Sequence, residues 1–292
     1  MAQPLAFSLV AGLLTVVLLV LSRQSQDLPQ AGDGESTAGE TNAPTAEHTA
    51  ATTPGGRAEQ PASESMAESP AQGEHSETDP VPTGEPSPEV ELTPAMVLGN
   101  VAATQGLLAA VLLVAGWYFS IPAAAFGVAS EPLSTGAPAV ALGVGFGAVL
   151  WVGNELSTTV ADAVGAAYDE RLRELLAPDS PGGWVVLFGA VLPIIAVGEE
   201  LLFRAALIGV PAASFSVSPW LLAVVASLAF ALGHGAQGQV GVIVTGVLGF
   251  VLAAGYIVSG SLLLVVVAHY VINGLEFLVH EYLGVDPLGT SR

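Results

Sequence analysis

The sequence contains no cysteine and no lysine. The first absence excludes disulfides, thiolate zinc sites and cysteine nucleophiles, so any chemistry must come from Glu, Asp, His, Asn, Ser or Tyr. The second leaves only six basic residues, all arginine, against 26 acidic ones, for a formal net charge of -20. So few cations cannot neutralise phosphates, which excludes a nucleic-acid partner. Such acidity without lysine is typical of proteins from extreme halophiles and predicts a halophilic source.

Charged residues are also scarce: they make up 11% of the 292 residues, whereas hydrophobic residues make up 52%. The hydrophobic residues fall into long blocks, far more than a soluble domain needs. The composition therefore predicts an all-α protein, a polytopic transmembrane helix bundle in the cell membrane. Besides an N-terminal anchor, six apolar segments are long enough, or nearly so, to cross a bilayer. They cover residues 96–118, 136–153, 183–208, 219–236, 240–258 and 261–282.

The chain before the core divides in two. Residues 1–22 form an apolar segment without a positive n-region or a small-residue cleavage site, which favours an uncleaved transmembrane anchor over a removed signal peptide. Residues 23–95 are rich in Pro, Glu, Ser, Thr and Gly and hold 14 of the acidic residues. This composition predicts a disordered acidic linker, since it cannot bury enough apolar surface to offset chain entropy. A simple tether is the favoured role; a bait or sensor segment is the alternative. The core is then 96–292.

The arginines and one mixed segment bear on topology. Residues 154–176 combine charges with Leu and Val at helical spacing, which predicts a helix along the membrane interface, with a hairpin dipping into the bundle as the alternative. With seven spans, one side of the membrane receives every arginine outside the spans, namely Arg23, Arg57, Arg171, Arg173 and Arg292. The positive-inside rule then predicts an outside N-terminus and a cytoplasmic linker.

The stretch "EELLFR" places ionisable residues inside a span, where they are costly and therefore suggest a function. On an α-helix each residue advances about 100°. Glu200 and Arg204 therefore lie on nearly the same face and predict an internal ion pair, while Glu199 lies about 140° from Arg204. A salt bridge that only locks the helix would not explain Glu199.

Two further stretches carry imidazoles and an amide on separate spans. "FALGH" places His234 one turn after Phe230, and "HYVIN" places Asn273 one turn after His269. With a rise of about 1.5 Å per residue and antiparallel neighbours, Glu199, His234, His269 and Asn273 fall within about 10 Å of one another in depth. A carboxylate can take a proton from water, an imidazole can hold that water or a metal ion, and imidazole and amide donors can stabilise an oxyanion. These groups together predict peptide-bond hydrolysis.

The ordered set EExxxR, FxxxH and HxxxN on apolar helices resembles the CPBP family of intramembrane proteases, which includes type II CAAX prenyl endopeptidases and Abi proteins linked to bacteriocin self-immunity. The resemblance covers about 183–282, and extends to the whole core from 96 at most. It implies Glu199 as general base, Glu200 and Arg204 as its support, His234 as the residue that positions the water, and His269 with Asn273 on the oxyanion side.

The resemblance leaves the cofactor open, because both a metalloprotease and a metal-independent glutamate mechanism are argued for the family. A Zn²⁺ ion would require ligands from different helices, with Glu199, His234 and His269 as candidates, since the sequence has no HExxH. No other cofactor is predicted. Glu276 and His280 extend the face of His269 and are expected to support the site or pack beside it.

The leading hypothesis is thus an intramembrane endopeptidase acting on a membrane-bound protein or peptide, including a prenylated CAAX-like one. A non-catalytic scaffold or immunity-type protein is one alternative, in which the polar cluster serves helix packing. A proton-coupled transporter is the other, because buried Glu and His can also relay protons. The sequence shows no second EExxxR element of the kind that a transporter with repeated halves would carry.

Overall fold

The computed structural model describes residues 1–26, 93–163, 165–166 and 171–287. Within these residues the regular secondary structure is all helical, with no strand, which confirms the predicted all-α membrane bundle. The N-terminal helix α1 continues to Gln26, past the predicted end of the anchor at residue 22. The rest of the predicted linker, up to residue 92, lies outside the described residues, as does Arg57.

Five helices precede the long helix that carries the two glutamates. The N-terminus of α2 is capped by the Thr93 hydroxyl, which accepts the amide N–H of Met96, and Pro94 occupies the first turn, where its missing N–H costs nothing. A short 3₁₀ turn, Ala123–Phe126, separates α2 from α3. The bounds are α1 Pro4–Gln26, α2 Pro94–Tyr118, α3 Pro132–Thr135, α4 Ala137–Ala163 and α5 Arg171–Leu176.

A continuous helical run of 35 residues, Pro181–Phe215, follows. It comprises α6 Pro181–Val186, a π-helical segment Leu187–Val191, α7 Leu192–Glu200, a second π-helical segment Leu201–Gly209, and α8 Val210–Phe215. Each π segment contains the residue four positions before a proline: Gly189 before Pro193 and Leu207 before Pro211. A proline ring clashes with that carbonyl in a regular α-helix, and the wider π turn relieves the clash.

The chain then turns back three times to complete the bundle. The remaining helices are α9 Pro219–Gly233, a 3₁₀ turn Gly235–Gln237, α10 Gly238–Ser259, α11 Leu262–Glu276 and a terminal π segment Phe277–Tyr282. The Ser261 hydroxyl caps α11 by accepting the amide N–H of Leu264 at 3.1 Å.

Six of these helical stretches are long and apolar enough to cross a membrane, which makes the chain a multi-pass membrane protein. The expectation of seven full spans is wrong at 219–236, because α9 has only 15 residues and ends at Gly233. At 1.5 Å per residue α9 is about 22 Å long, short of the roughly 30 Å of a hydrocarbon core. His234 is the residue that follows this shorter helix.

The predicted interfacial helix at 154–176 is also corrected by the structure. Its first residues, including Asn154 and Glu155, belong to α4, which continues unbroken to Ala163. Among the described residues of this segment, only α5 at its end is a separate helix, and α5 contacts α2. The polar residues at the start of the segment therefore belong to the end of a candidate span, and no separate interfacial helix or hairpin begins at residue 154.

Helix α1, the predicted anchor, packs against the rest of the bundle. Phe7 and Ala11 are fully buried, and the Phe7 ring meets the Phe126 ring edge to face at 5.4 Å. The backbone N–H of Gln3 donates to the Phe119 carbonyl, so α1 starts where α2 ends and the two helices run antiparallel. The end of α1 is therefore on the same side of the bundle as the start of α2.

Candidate active site

A cavity of about 330 Å³ lies among α2, α4, α5, α7, α9, α10 and α11. Its wall includes the charged and polar residues Gln105, Asn154, Arg173, Glu199, His234, Gln237, Thr245, His269, Asn273 and Glu276. Four of the residues predicted from the motifs, Glu199, His234, His269 and Asn273, therefore line one cavity, although they come from three helices. Glu200 and Arg204 lie behind its wall.

Glu200 and Arg204 form the predicted ion pair, with Nη1 of Arg204 2.9 Å from Oε1 of Glu200. Both side chains are withdrawn from solvent, at 0% and 1% exposure. Nη2 of Arg204 donates to the Gly249 carbonyl at 2.9 Å, and the guanidinium lies 4.7 Å from the centre of the Phe230 ring. The Arg204 cation is thus held by a carboxylate, a carbonyl and an aromatic face from three parts of the chain.

His269 binds the same carboxylate oxygen from the opposite helix. Its Nδ1 donates to Oε1 of Glu200 at 2.7 Å, which fixes the ring and places a hydrogen on Nδ1. Its Nε2 then points to the other glutamate, 3.7 Å from Oε2 of Glu199. Glu200 therefore orients His269, a role that the helical spacing of the EExxxR motif did not reveal.

Glu199 is held on one oxygen and free on the other. Its Oε1 accepts a hydrogen bond from Nε2 of Gln105 at 3.1 Å, while its Oε2 is buried and has no hydrogen-bond partner. The direct distance to His269 is too long for a hydrogen bond. A buried carboxylate oxygen without a donor, on the wall of a cavity, is suited to bind a water molecule or substrate hydrogen.

His234 follows the last residue of α9 and is fixed by its own helix. Its Nδ1 lies 2.8 Å from the Phe230 carbonyl oxygen, and because a carbonyl only accepts, Nδ1 must carry the hydrogen. The neutral ring then has its lone pair on Nε2. The centre of the Phe230 ring lies 6.2 Å from that of His269, edge to face, and 4.5 Å from that of His234. One aromatic residue therefore packs against both histidines and Arg204.

A second polar cluster borders the same cavity, and the sequence predicted only some of its members. Nη1 of Arg173 pairs with Oε1 of Glu276 at 2.6 Å and its Nε with Glu281 at 2.7 Å. Nε2 of His280 lies 2.9 Å from Oε1 of Glu155 and 3.9 Å from Oε1 of Glu276. Glu276 thus joins α11 to α5, and His280 joins the terminal π segment to α4. Glu155 and Arg173 were missed as site neighbours. Gln105 was also missed, although it is one of two side-chain amides, with Asn100, in the apolar helix α2, and a polar residue within a span is the signal that could have indicated it.

The residues can be tested for a metal site by the distances between their ligand atoms. Among the described residues, one set of three His, Asp or Glu side chains has its ligand atoms within 4.8 Å of one another. It consists of Glu155, Glu276 and His280. The set Glu199, His234 and His269 does not form such a group. The three ligands required for a catalytic zinc are therefore not assembled at Glu199, and Arg173 already neutralises Glu276 in the other cluster.

Comparison with known proteins identifies part of the chain. Residues 181–275 match the family model described as type II CAAX prenyl endopeptidase Rce1-like. No curated protein and no solved structure matches the chain. The matched segment includes the helical run with Glu199 and the helices that carry His234, His269 and Asn273, whereas α1, α2 and α4 precede it.

Proposed function

We propose that this chain, whose residues 181–275 form an Rce1-like domain, is a membrane-embedded endopeptidase. Its proposed substrate is a membrane-associated protein or peptide of the CAAX type, cleaved at a peptide bond. The observation that carries the proposal is the free Oε2 of Glu199, which is buried without a donor and lies opposite Nε2 of His269.

The proposed nucleophile is a water molecule bound between Oε2 of Glu199 and Nε2 of His269. The hydrogen on Nδ1 of His269 is donated to Glu200, so Nε2 of the neutral ring accepts a hydrogen bond from one hydrogen of this water. Oε2 of Glu199 accepts a hydrogen bond from the other hydrogen of the water. The oxygen of the water then points a lone pair at the substrate carbonyl. Glu199 takes the proton as the C–O bond forms and passes it to the nitrogen of the leaving amine when the C–N bond breaks.

The oxyanion that forms needs donors, and Asn273 is proposed to supply one. Asn273 lines the cavity one turn after His269, and its amide nitrogen carries two hydrogens. His234, with Nδ1 fixed on the Phe230 carbonyl, offers the lone pair of Nε2 to the water or to a substrate N–H. Glu200 and Arg204 act through His269 and Glu199 and are positioning residues.

The test is cleavage in lipid vesicles of a fluorogenic CAAX peptide with a farnesylated cysteine, beside the same peptide without the prenyl group. Loss of the general base is expected to reduce cleavage by Glu199→Gln about 10²- to 10⁴-fold. The control is Glu131→Gln, which changes an exposed glutamate outside the site and should leave cleavage unchanged.

Equal cleavage by wild type and Glu199→Gln would contradict the assignment of the base. Absence of cleavage of both peptides by the wild type would contradict the CAAX substrate class. A loss of stability in Glu199→Gln without any proteolysis in the wild type would instead support the scaffold hypothesis.

A further inference from the structure

Gln105 lies on α2, outside the Rce1-like segment 181–275, yet it contacts the proposed general base directly. Its Nε2 donates to Oε1 of Glu199 at 3.1 Å. The reverse amide orientation would bring two acceptor oxygens together, so the hydrogen bond determines which end of the amide faces the carboxylate. Gln105 is therefore the donor that occupies one of the two oxygens of Glu199.

The approach of α2 to α7 at this point depends on a glycine. A Cβ atom on Gly198 would lie 3.0 Å from the backbone oxygen of Gln105 and 3.1 Å from its Oε1, closer than nearly all real Cβ contacts. Gly198 thus lets the amide reach the residue that follows it in the chain, Glu199. The contact is a close helix crossing at a small residue, of the kind that brings membrane helices together.

The remaining atoms show what the hydrogen bond accomplishes. Oε1 of Gln105 and Oε2 of Glu199 are both buried without a partner, so no other donor among the described residues holds the carboxylate. Rotation of the Glu199 side chain would exchange its two oxygens and lose the Gln105 hydrogen bond. The bound oxygen therefore keeps the free one on the side of His269.

We propose that Gln105 is a positioning residue for the peptidase reaction: it holds Oε1 of Glu199 so that Oε2 is the oxygen that takes the proton from water. This inference rests on the proposed function. It extends the site beyond the matched segment, since α2 then contributes to the orientation of the general base.

The first variant is Gln105→Met, which keeps the length of the side chain and removes the donor. A hydrogen bond to a charged group contributes enough to predict a fall in kcat of about 10- to 100-fold. KM should change less than about twofold, because Gln105 acts on the base and not on the substrate. The control on the same helix is Thr104→Val, at an exposed position beside Gln105, which should leave kcat unchanged.

The second variant, Gln105→Glu, separates positioning from packing through its pH profile. A protonated carboxyl can donate to Glu199 as the amide does, whereas an ionised one repels it. The other titratable or charged groups around Glu199 are Glu200 and Arg204 on its own helical run, Arg173 on α5, His234 after α9, and His269 and Glu276 on α11. These are common to wild type and variant. We expect Gln105→Glu to recover activity relative to the wild type as the pH falls, and Gln105→Met to stay low at all pH values.

A spectroscopic measurement keeps the inference testable without turnover. Isotope-edited infrared spectra of protein labelled with ¹³C-glutamate, with Glu199→Gln subtracted, isolate the carboxylate band of Glu199. That band should shift in Gln105→Met and not in Thr104→Val. An unshifted band, or full kcat in Gln105→Met, would overturn the proposal. An inactive wild type with a shifted band would contradict the proposed protease function while retaining the role of Gln105 in orienting Glu199.

Discussion

Oε2 of Glu199 faces Nε2 of His269 across 3.7 Å, and in each residue the other polar atom is already bound. Gln105 occupies Oε1 of Glu199, and Glu200 occupies Nδ1 of His269. The two unbound atoms are therefore directed at each other by contacts from α2 and α7. A water molecule or a substrate group between them would meet a carboxylate and an imidazole whose orientations are set before it arrives, which reduces the cost of ordering the site during the reaction.

Removal of the buried cation should destabilise the protein strongly. Arg204→Met leaves the carboxylate of Glu200 without its guanidinium in a fully buried position, and breaking such a pair costs about 3–5 kcal/mol. It also removes the donor to the Gly249 carbonyl. Thermal unfolding in detergent, followed by circular dichroism, should show a clearly lower midpoint.

The double variant Glu200→Gln/Arg204→Met is the control for this prediction, because it removes both charges together. It should unfold at a higher temperature than Arg204→Met alone. An equal or lower midpoint would mean that Arg204 stabilises the bundle chiefly through Gly249 and Phe230, and not by neutralising Glu200.

Close packing of α4 against α11 should also be needed for activity. A Cβ atom on Gly147 would lie 2.5 Å from the carbonyl oxygen of Ala268, the residue before His269. Gly147→Ala is therefore expected to displace α11 and lower both the unfolding midpoint and kcat. A rise in KM alone, with kcat and the midpoint unchanged, would contradict this reasoning.

Gly145 provides the matched control on the same helix. It lies two residues from Gly147, and a Cβ atom there would meet nothing within 4 Å. Gly145→Ala should be neutral or slightly stabilising, since alanine is favoured over glycine in a helix by up to about 1 kcal/mol. A similar loss in both variants would indicate a general effect of glycine replacement on α4.

Metal dependence can be tested independently of the substitutions. Because Glu199, His234 and His269 do not bring their ligand atoms within 4.8 Å of one another, we expect cleavage to persist after treatment with a chelator and dialysis. Atomic absorption on the dialysed protein should accompany the assay. Loss of cleavage on chelation, with recovery on addition of Zn²⁺, would contradict this expectation and require the helices to move together around the ion.

Local spacing was sufficient to predict much of the site. The four-residue separation of Glu200 and Arg204 gave their ion pair, and the helical rise placed His234, His269 and Asn273 near the depth of Glu199, where the structure has them on one cavity wall. These features follow from helix geometry, which holds wherever the chain is helical. The sequence therefore predicted which residues lie near one another more reliably than the contacts among them.

The contacts that were missed depend on which helices approach each other. Gln105 reaches Glu199 only because α2 crosses α7 at Gly198, and no pattern within α2 shows that crossing. Similarly, Glu155 meets His280 because α4 continues past its apolar part. The predicted end of α9 at residue 236 was three residues too late, because α9 ends at Gly233, where the apolar pattern gives way to the Gly-rich stretch "HGAQGQ".

The last prediction concerns α1, which the sequence presented as an anchor. The hydroxyl of Ser22 donates to the Gly233 carbonyl at 2.8 Å, at the end of α9, where carbonyls lack helical partners. Since His234 is the next residue, Ser22→Ala should loosen the turn that holds this histidine. We expect a fall in kcat of about two- to tenfold, in line with the net value of one hydrogen bond, and recovery in Ser22→Thr, which restores the hydroxyl.

Ser8→Ala is the control on the same helix, because the Ser8 hydroxyl is buried without a partner. Equal activities of Ser22→Ala and Ser8→Ala would mean that α1 only anchors the chain, whereas a selective loss in Ser22→Ala would make the N-terminal helix a functional part of the site.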